Sequence, residues 1–406
     1  MEKIKIVDSI MGSGKSQMAI QMMNEDVESD FIYITPYLDE IRRIKQNCTN
    51  RKFTEPKEDR KNRIYSKTKS LKELLKSGSN IATTHSLFKL VDKGTEEILQ
   101  ATNYTLILDE VMDVVQQIPI SKADQTVLFE NSNILQVDEN NRVILGGGAE
   151  KYISEGNGKF AELIHMSKLG RLFKFQNIII LWEFPIEVFK YFKNVYILTY
   201  LFDGQIQKYF FDFYDVKYDK FTIIKNSDKY ELVDHSSELD KERIKFISSK
   251  INIYEGKLNS IGARDNSFSY SWYKRLDSDI KEIITNNIYN YLKNINKAKS
   301  RDCLWTSFKE FNLNVPSFKR AFIVHNTRAT NEYSDTHTLA YCVNRYISPF
   351  LVNYFKGKDI SINQDVYALS EMLQWIFRSR IRNDEEVNIY IPNTRMRNLL
   401  KKYLTI

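Results

Sequence analysis

The chain has little cysteine: three residues in 406, Cys48, Cys303 and Cys342, far apart and with no Cys-x-x-Cys pair. That scarcity argues against a disulfide framework and excludes an iron–sulfur cluster held by four thiolates. The five histidines show no metal-ligand spacing, so no zinc site is indicated either. Long apolar runs are missing too; none approaches the ~18 residues of a membrane span, and no membrane role is expected. There is no internal repeat and no low-complexity linker. Charge of one sign is not in large excess: 59 Lys and Arg against 52 Asp and Glu leave +7, a mild bias toward polyanionic partners. The first residues enter a strand pattern at once, without a signal-peptide pattern, and the protein is expected to be intracellular. What is present is a globular composition, 42% hydrophobic and 27% charged, at a length that suits two to three domains.

The most informative stretch comes first. Residues 3 to 8 read as a short buried strand and lead into Ser-Ile-Met-Gly-Ser-Gly-Lys-Ser at positions 9 to 16, followed by a helix opening. Strand, glycine turn and helix in this order are the context of a phosphate-binding P-loop. Gly12 and Gly14 let backbone N–H groups fold around an anion, with Ser13 between them and Gln17 just beyond. Lys15 is placed for the β and γ phosphates and the Ser16 hydroxyl for Mg²⁺. Ser9 stands where the general pattern has its first glycine.

A second motif, Tyr104 to Glu110, is an apolar strand delivering two carboxylates at its C-terminal end, where such a sheet carries its ligand chemistry. Asp109 is expected to hold Mg²⁺ and Glu110 to orient and deprotonate the attacking water. Further strands are expected at 31–36, 80–88, 175–182, 194–200, 303–308, 320–325 and 387–391, with residues 209–224 as strands or a hairpin. Residues 111–180 read as mostly helical, with glycine turns at 146–148 and 156–158. A helix is expected over 365–382 and a terminal one over 394–404.

That late helix holds a third cluster, Gln374, Arg378, Arg380 and Arg382. At 100° per residue, Gln374, Arg378 and Arg382 share a face and Arg380 points away. A glutamine and two arginines together can meet a γ-phosphate. Upstream, Arg328, Thr330 and Asn331 lie in a small polar segment suited to gripping a phosphodiester backbone. Trp305 can stack a base or pack in the core.

In chain order these clusters resemble the motif series of superfamily 2 helicases, in particular the divergent DEAD/DEAH-like helicases of bacteriophages and mobile elements. The resemblance runs from the P-loop through Thr35-Pro36, Thr84-His85, Asp109-Glu110 and Thr199 to Arg328–Asn331 and Gln374–Arg382. Val111 after the Asp-Glu pair, the wording at Thr199 and Ile381 within the last motif depart from the common pattern, and the family spacing leaves open which of Arg378, Arg380 and Arg382 is the arginine finger. The resemblance implies an α/β chain of two tandem RecA-like P-loop domains, 1–205 and 206–406, with a helical insertion in the first and a partly helical segment in the second. It implies ATP and Mg²⁺ in the cleft between them. It also implies that Thr35, Pro36, Thr84, His85, Trp305, Arg328, Thr330 and Asn331 contact nucleic acid, single-stranded or forked DNA. The expected activity is that of an ATP-dependent helicase or translocase in phage or mobile-element replication or recombination, in the cytoplasm of a bacterial host and alongside replication or recombination proteins. The alternative is an ATP-gated DNA-binding switch or origin-binding ATPase that does not unwind.

Overall fold

The structure is a computed structural model that describes residues 4–58, 66–154, 156, 158–176, 179–311, 313–326 and 331–405. Five strands precede the second motif's carboxylates: β1 (Ile4–Asp8), β2 (Asp30–Thr35), β3 (Phe53–Thr54), β4 (Asn80–Thr84) and β5 (Tyr104–Asp109). Their near-continuous apolar runs are those of strands covered on both faces, as parallel sheets are. The strands of the following stretch are β6 (Val115–Ile118), β7 (Leu135–Val137), β8 (Val143–Leu145), β9 (Leu172–Phe175) and β10 (Ile179–Glu183). Next come β11 (Asn194–Thr199), β12 (Tyr218–Asn226) and β13 (Lys229–Asp234). The main sheet has the order β13-β12-β1-β11-β5-β2-β4-β3, parallel except for the antiparallel β12–β13 hairpin. Its parallel register brings Asp8, Thr199, Asp109, Thr35 and Thr84 to one edge.

Two expectations change here. Residues 111–180 are not mostly helical: β6, β10 and β9 form an antiparallel sheet and β7–β8 a second, with short helices between. Strands of three to five residues are too short for alternation to outweigh a helical reading. The turn at 146–148 is tied down, with Gly148 N–H donating to Asn133 O at 2.9 Å and no room for a side chain beside Ser132. Secondly, the segment after residue 206 stays with the first sheet. It starts with a helix, Ile206–Phe213, where strand was expected, because its aromatics Tyr209, Phe210 and Phe211 are buried on a helical face. Then β12 pairs parallel with β1.

The second sheet is all parallel, in the order β14-β17-β16-β15, from Ile251–Ile253, Val387–Tyr390, Thr338–Tyr341 and Cys303–Thr306. No strand forms at 320–325. Lys319–Ala321 is a 3-10 turn, and Phe322 makes one isolated bridge to Trp305. The late helix ends earlier than expected, at Gln364–Ile376, while the terminal helix runs Thr394–Leu404 as expected.

The first core takes in a piece of the second half of the chain. The Pro349–Lys356 helix places Phe350, Tyr354 and Phe355 in it, with the Tyr354 ring stacked on Phe213 at 4.9 Å. Tyr354 and Tyr214 hydroxyls donate to the two oxygens of buried Glu183 at 2.8 and 2.6 Å. Phe355 is fully buried. Phe355→Ala should therefore lower stability by about 3–5 kcal/mol, read as a fall in the urea midpoint at unchanged slope. A variant that unfolds like the parent would show that this helix is not part of the first core.

Candidate nucleotide cleft

The loop after β1 is shaped by its glycines. Gly12 and Gly14 have φ of 83° and 94°, where a Cβ is disfavoured, and the helix Lys15–Glu25 starts directly behind them. Ser9 is wholly buried, and its Oγ accepts from Ile223 N–H on β12 at 2.9 Å, so a serine at this point anchors the loop to the hairpin. The Lys15 ammonium is folded back onto the loop and donates to the Ser9 and Ile10 carbonyls, the latter at 3.1 Å. Burial holds its pKa below the ordinary lysine value, with Glu110, Asp8 and Asp109 pulling it back up.

Across the sheet edge, Asp109 ends β5, and its carboxylate accepts from Thr35 Oγ1 at 3.4 Å. Glu110 follows in the left-handed region, φ 66°, its N–H held by Leu198 O at 2.9 Å. A non-glycine residue there costs ~1–3 kcal/mol, strain of the kind that collects at functional sites. Burial pushes the Asp109 carboxyl up to about 7, and the charges of Glu40 and Glu110 add to it. Asp109 and Ser16 line the same cleft, so a divalent cation fits here: an oxygen donor set around a buried carboxyl whose charged form needs a positive partner.

That cleft has a volume of ≈ 710 Å³. Gly12, Gly14, Lys15, Ser16, Gln17, Asp109 and Glu110 line one wall, and Gln374, Phe377, Arg378 and Arg382 the other. The helical phase expected for the arginines does not hold. The helix stops at Ile376, Ser379 is extended with ψ −178°, and Arg380–Asn383 is a 3-10 turn capped by Ser379. Arg378 and Arg382 nonetheless both reach the cleft, while Arg380 turns away to the Glu386 carbonyl and toward Glu385. Arg378 is only 3% exposed, and its Nε and Nη1 have no hydrogen-bond partner among the described residues. Burial pushes its pKa down to about 10, partly offset by Tyr37, Glu371, Tyr341 and Glu110. A buried guanidinium with open donors facing a glycine loop at a helix N-terminus is suited to an anion.

The residues expected on nucleic acid divide. Pro36 and His85 line a second cavity of ≈ 350 Å³ with His325, Asn326, Arg345 and Glu371, and this cavity shares Gln374 and Arg378 with the first. Thr35 is instead buried against Asp109, and Thr84 caps the short helix His85–Phe88 by accepting from Leu87 N–H at 3.3 Å. Trp305 is a core residue, 2% exposed, with its indole N–H on Phe318 O at 2.8 Å and its ring 4.7 Å from Phe322, so no base can stack on it. Arg328 and Thr330 lie outside the described residues, as does the side chain of Asn331.

Three residues here escaped the sequence reading. Arg345 donates to His325 Nε2 (3.0 Å), the Tyr367 hydroxyl (2.7 Å) and Glu371 (3.2 Å). Burial, with Arg345 adding, pushes His325 down to about 3 and keeps it neutral. Asp240, on the Ser237–Ser248 helix, is buried near Asp8 and Lys15, and Arg243 on the same helix lies beside Gly12 and pairs with Asp384 at 2.5 Å. None lies in a recognisable motif. The only signal for Arg345 was its place just after β16, a strand the sequence reading had not marked.

Comparison with known proteins gives a close relative and more distant likenesses in shape. The chain is 44% identical over 409 residues to the SPbeta prophage-derived uncharacterized protein YonV of Bacillus subtilis (strain 168), covering 100% of this chain and 99% of that protein. Residues 245–404 match the family described as the YonV C-terminal Rossmann-like domain. Among solved structures, one described as an XPD helicase is similar at 10% identity and a TM-score of 0.47, covering 99% of this chain and 94% of that one. S. tokodaii Xpd4 is similar at 10% identity and 0.45, with the same coverage, and the DUF1998 helicase MrfA bound to DNA at 10% and 0.33, covering 100% of this chain and 46% of that one. Likeness at this level assigns no chemistry. Among the described residues no helix is long and apolar enough to cross a membrane.

The incompletely partnered guanidinium of Arg378 has a cost when no anion is bound. Arg378→Met should raise the stability of the nucleotide-free chain by about 1–2 kcal/mol, seen as a higher unfolding temperature. A lower one would mean that Arg378 is satisfied within the protein.

Proposed function

The chain belongs to the YonV family, and we propose that it is a nucleic-acid-dependent ATPase of the superfamily 2 helicase kind, moving on DNA. The observation that carries this reading is Arg378, buried with open donors opposite a glycine loop and a Glu that follows directly on a parallel strand. In this reading the backbone N–H groups of Gly12 to Gln17 receive the phosphates, and Lys15 swings off the Ser9 and Ile10 carbonyls to meet them. Glu110 orients the attacking water and takes its proton. Arg378, with Gln374 and Arg382, stabilises charge on the transferring phosphoryl group. Mg²⁺, held by Ser16 and Asp109, would supply neutralisation of phosphate charge.

The nucleic-acid side is the second cavity, whose Pro36, His85, Asn326 and Arg345 face the same Gln374 and Arg378. One helix, Gln364–Ile376, thus carries Glu371 into one cavity and Gln374 into both, a short route from strand to nucleotide. The relative's prophage origin supports a bacterial cytoplasm as the place of action and is the reason this reading takes DNA as the polymer. The domain division we favour is 1–234 and 235–406, later than the expected 205, since β12 and β13 complete the first sheet. A second reading, an ATP-gated DNA-binding switch, draws support from Lys15 being engaged by its own loop.

Phosphate release titrated with single-stranded DNA, duplex DNA and RNA separates the two: many-fold stimulation supports the motor, tight binding with negligible turnover the switch. Lys15→Ala should abolish hydrolysis, and Glu110→Gln should keep ATP binding while losing turnover. Near-normal turnover of the lysine variant would sink the P-loop assignment. In single-turnover hydrolysis with saturating single-stranded DNA, Arg378→Ala and Arg382→Ala should each lose about 10³-fold, and Arg380→Ala less than about tenfold. If Arg380→Ala proves the most damaged, the finger is Arg380.

A further inference from the structure

We propose that Tyr230, on the β12–β13 hairpin, is the platform for the nucleoside end of the bound nucleotide and makes the cleft prefer a purine nucleoside triphosphate over a bare polyphosphate. This rests on the nucleotide reading of the cleft. The strand order supplies the direction. β5, with Asp109 and Glu110, lies two places from β1 on one side, across β11, and the hairpin lies on the other side. A triphosphate whose terminal phosphate meets Glu110 and Arg378 must therefore send its nucleoside away from β5, toward the hairpin.

Tyr230, which the hairpin carries, lines the cleft, as does Gln17. Its backbone is held independently of its ring. Gln21, one turn beyond Gln17 on the loop's helix, donates from Nε2 to Tyr230 O at 3.2 Å and accepts from Tyr230 N–H at 2.9 Å. The ring lies against the loop itself, since a Cβ on Gly14 would come 2.3 Å from Tyr230 Cε1. Gly14 is thus required twice, for its positive φ and for this approach. An aromatic ring held half-buried beside the first turns of a P-loop helix offers a stacking surface at the height where ribose and base leave the α-phosphate. Stacking on an aromatic side chain gains most from the large π-face of a purine.

The test uses the full chain with Mg²⁺, and competition by ATP and by inorganic tripolyphosphate against a fluorescent ATP analogue. Tyr230→Ala should weaken ATP about tenfold and leave tripolyphosphate unchanged, while Tyr230→Phe keeps both near the parent values. The Gln21 clamp does not involve the ring, so the hairpin should persist in both variants. Equal weakening of ATP and tripolyphosphate by Tyr230→Ala would assign the ring to packing on Gly14 and overturn the proposal, as would unchanged ATP affinity. A parent chain that binds neither competitor would instead overturn the nucleotide reading itself.

Discussion

The cleft depends on how β1 is held. It is hydrogen-bonded on both sides, to β11 through Lys5–Asp8 and to β12 through Ile4–Val7. The bonding continues into the loop, where Ser9 N–H donates to Thr199 O and its hydroxyl accepts from Ile223 N–H. Thr222 donates from Oγ1 to Asp8 O at 3.3 Å. A loop with two residues in the left-handed region has few internal constraints, so its shape must be imposed from its ends. Here the near end is fixed by two neighbouring strands and the far end by the first turn of a helix, where Met18 N–H reaches Gly14 O at 2.8 Å.

The same strand pairing explains why the halves of the chain are interlaced. The hairpin that covers the outer side of β1 comes from beyond residue 206, and the Pro349–Lys356 helix returns from the second half to fill the first core with three aromatics. Each crossing buries apolar surface that neither half would cover alone. The halves also meet through buried side chains: Ile10 and Tyr200 pack in the second core, where the Tyr200 and Tyr403 hydroxyls lie 2.9 Å apart.

Buried charge is concentrated in the cleft and behind the glycine loop. Asp8, Lys15, Asp109, Asp240 and Arg378 are all shifted toward their neutral forms by burial. In a finished structural core such groups would be replaced by apolar ones or paired fully, because each uncompensated charge costs stability. Their clustering here, with Glu110 in the left-handed region, is the pattern of groups and strain that collects at functional sites more often than in structural cores.

Sequence alone determined the parts whose signal is local. The glycine turn between β1 and its helix, β2, β4, β5 and β11, the terminal helix and the Asp109–Glu110 pair are legible because apolar runs, glycine spacing and carboxylates at a strand end are each read within about ten residues. The separation of Arg378 and Arg382 from Arg380 was reached through a helical phase that the protein does not keep. The real cause is a helix end at Ile376 and a 3-10 turn set by Ser379, so the grouping agrees while its geometry differs. Only the tertiary structure decided the rest. Whether Trp305 meets solvent or core, and whether Thr35 faces a strand of DNA or Asp109, turns on which neighbours cover it. The allegiance of the 218–234 hairpin and the 349–356 helix is also tertiary, because a strand edge and an apolar helix face specify that they must be covered but not by which part of the chain. Arg345 and Tyr230 reach the cavities, and Asp240 the neighbourhood of Asp8 and Lys15, by long-range packing, and no spacing in the sequence encodes that meeting.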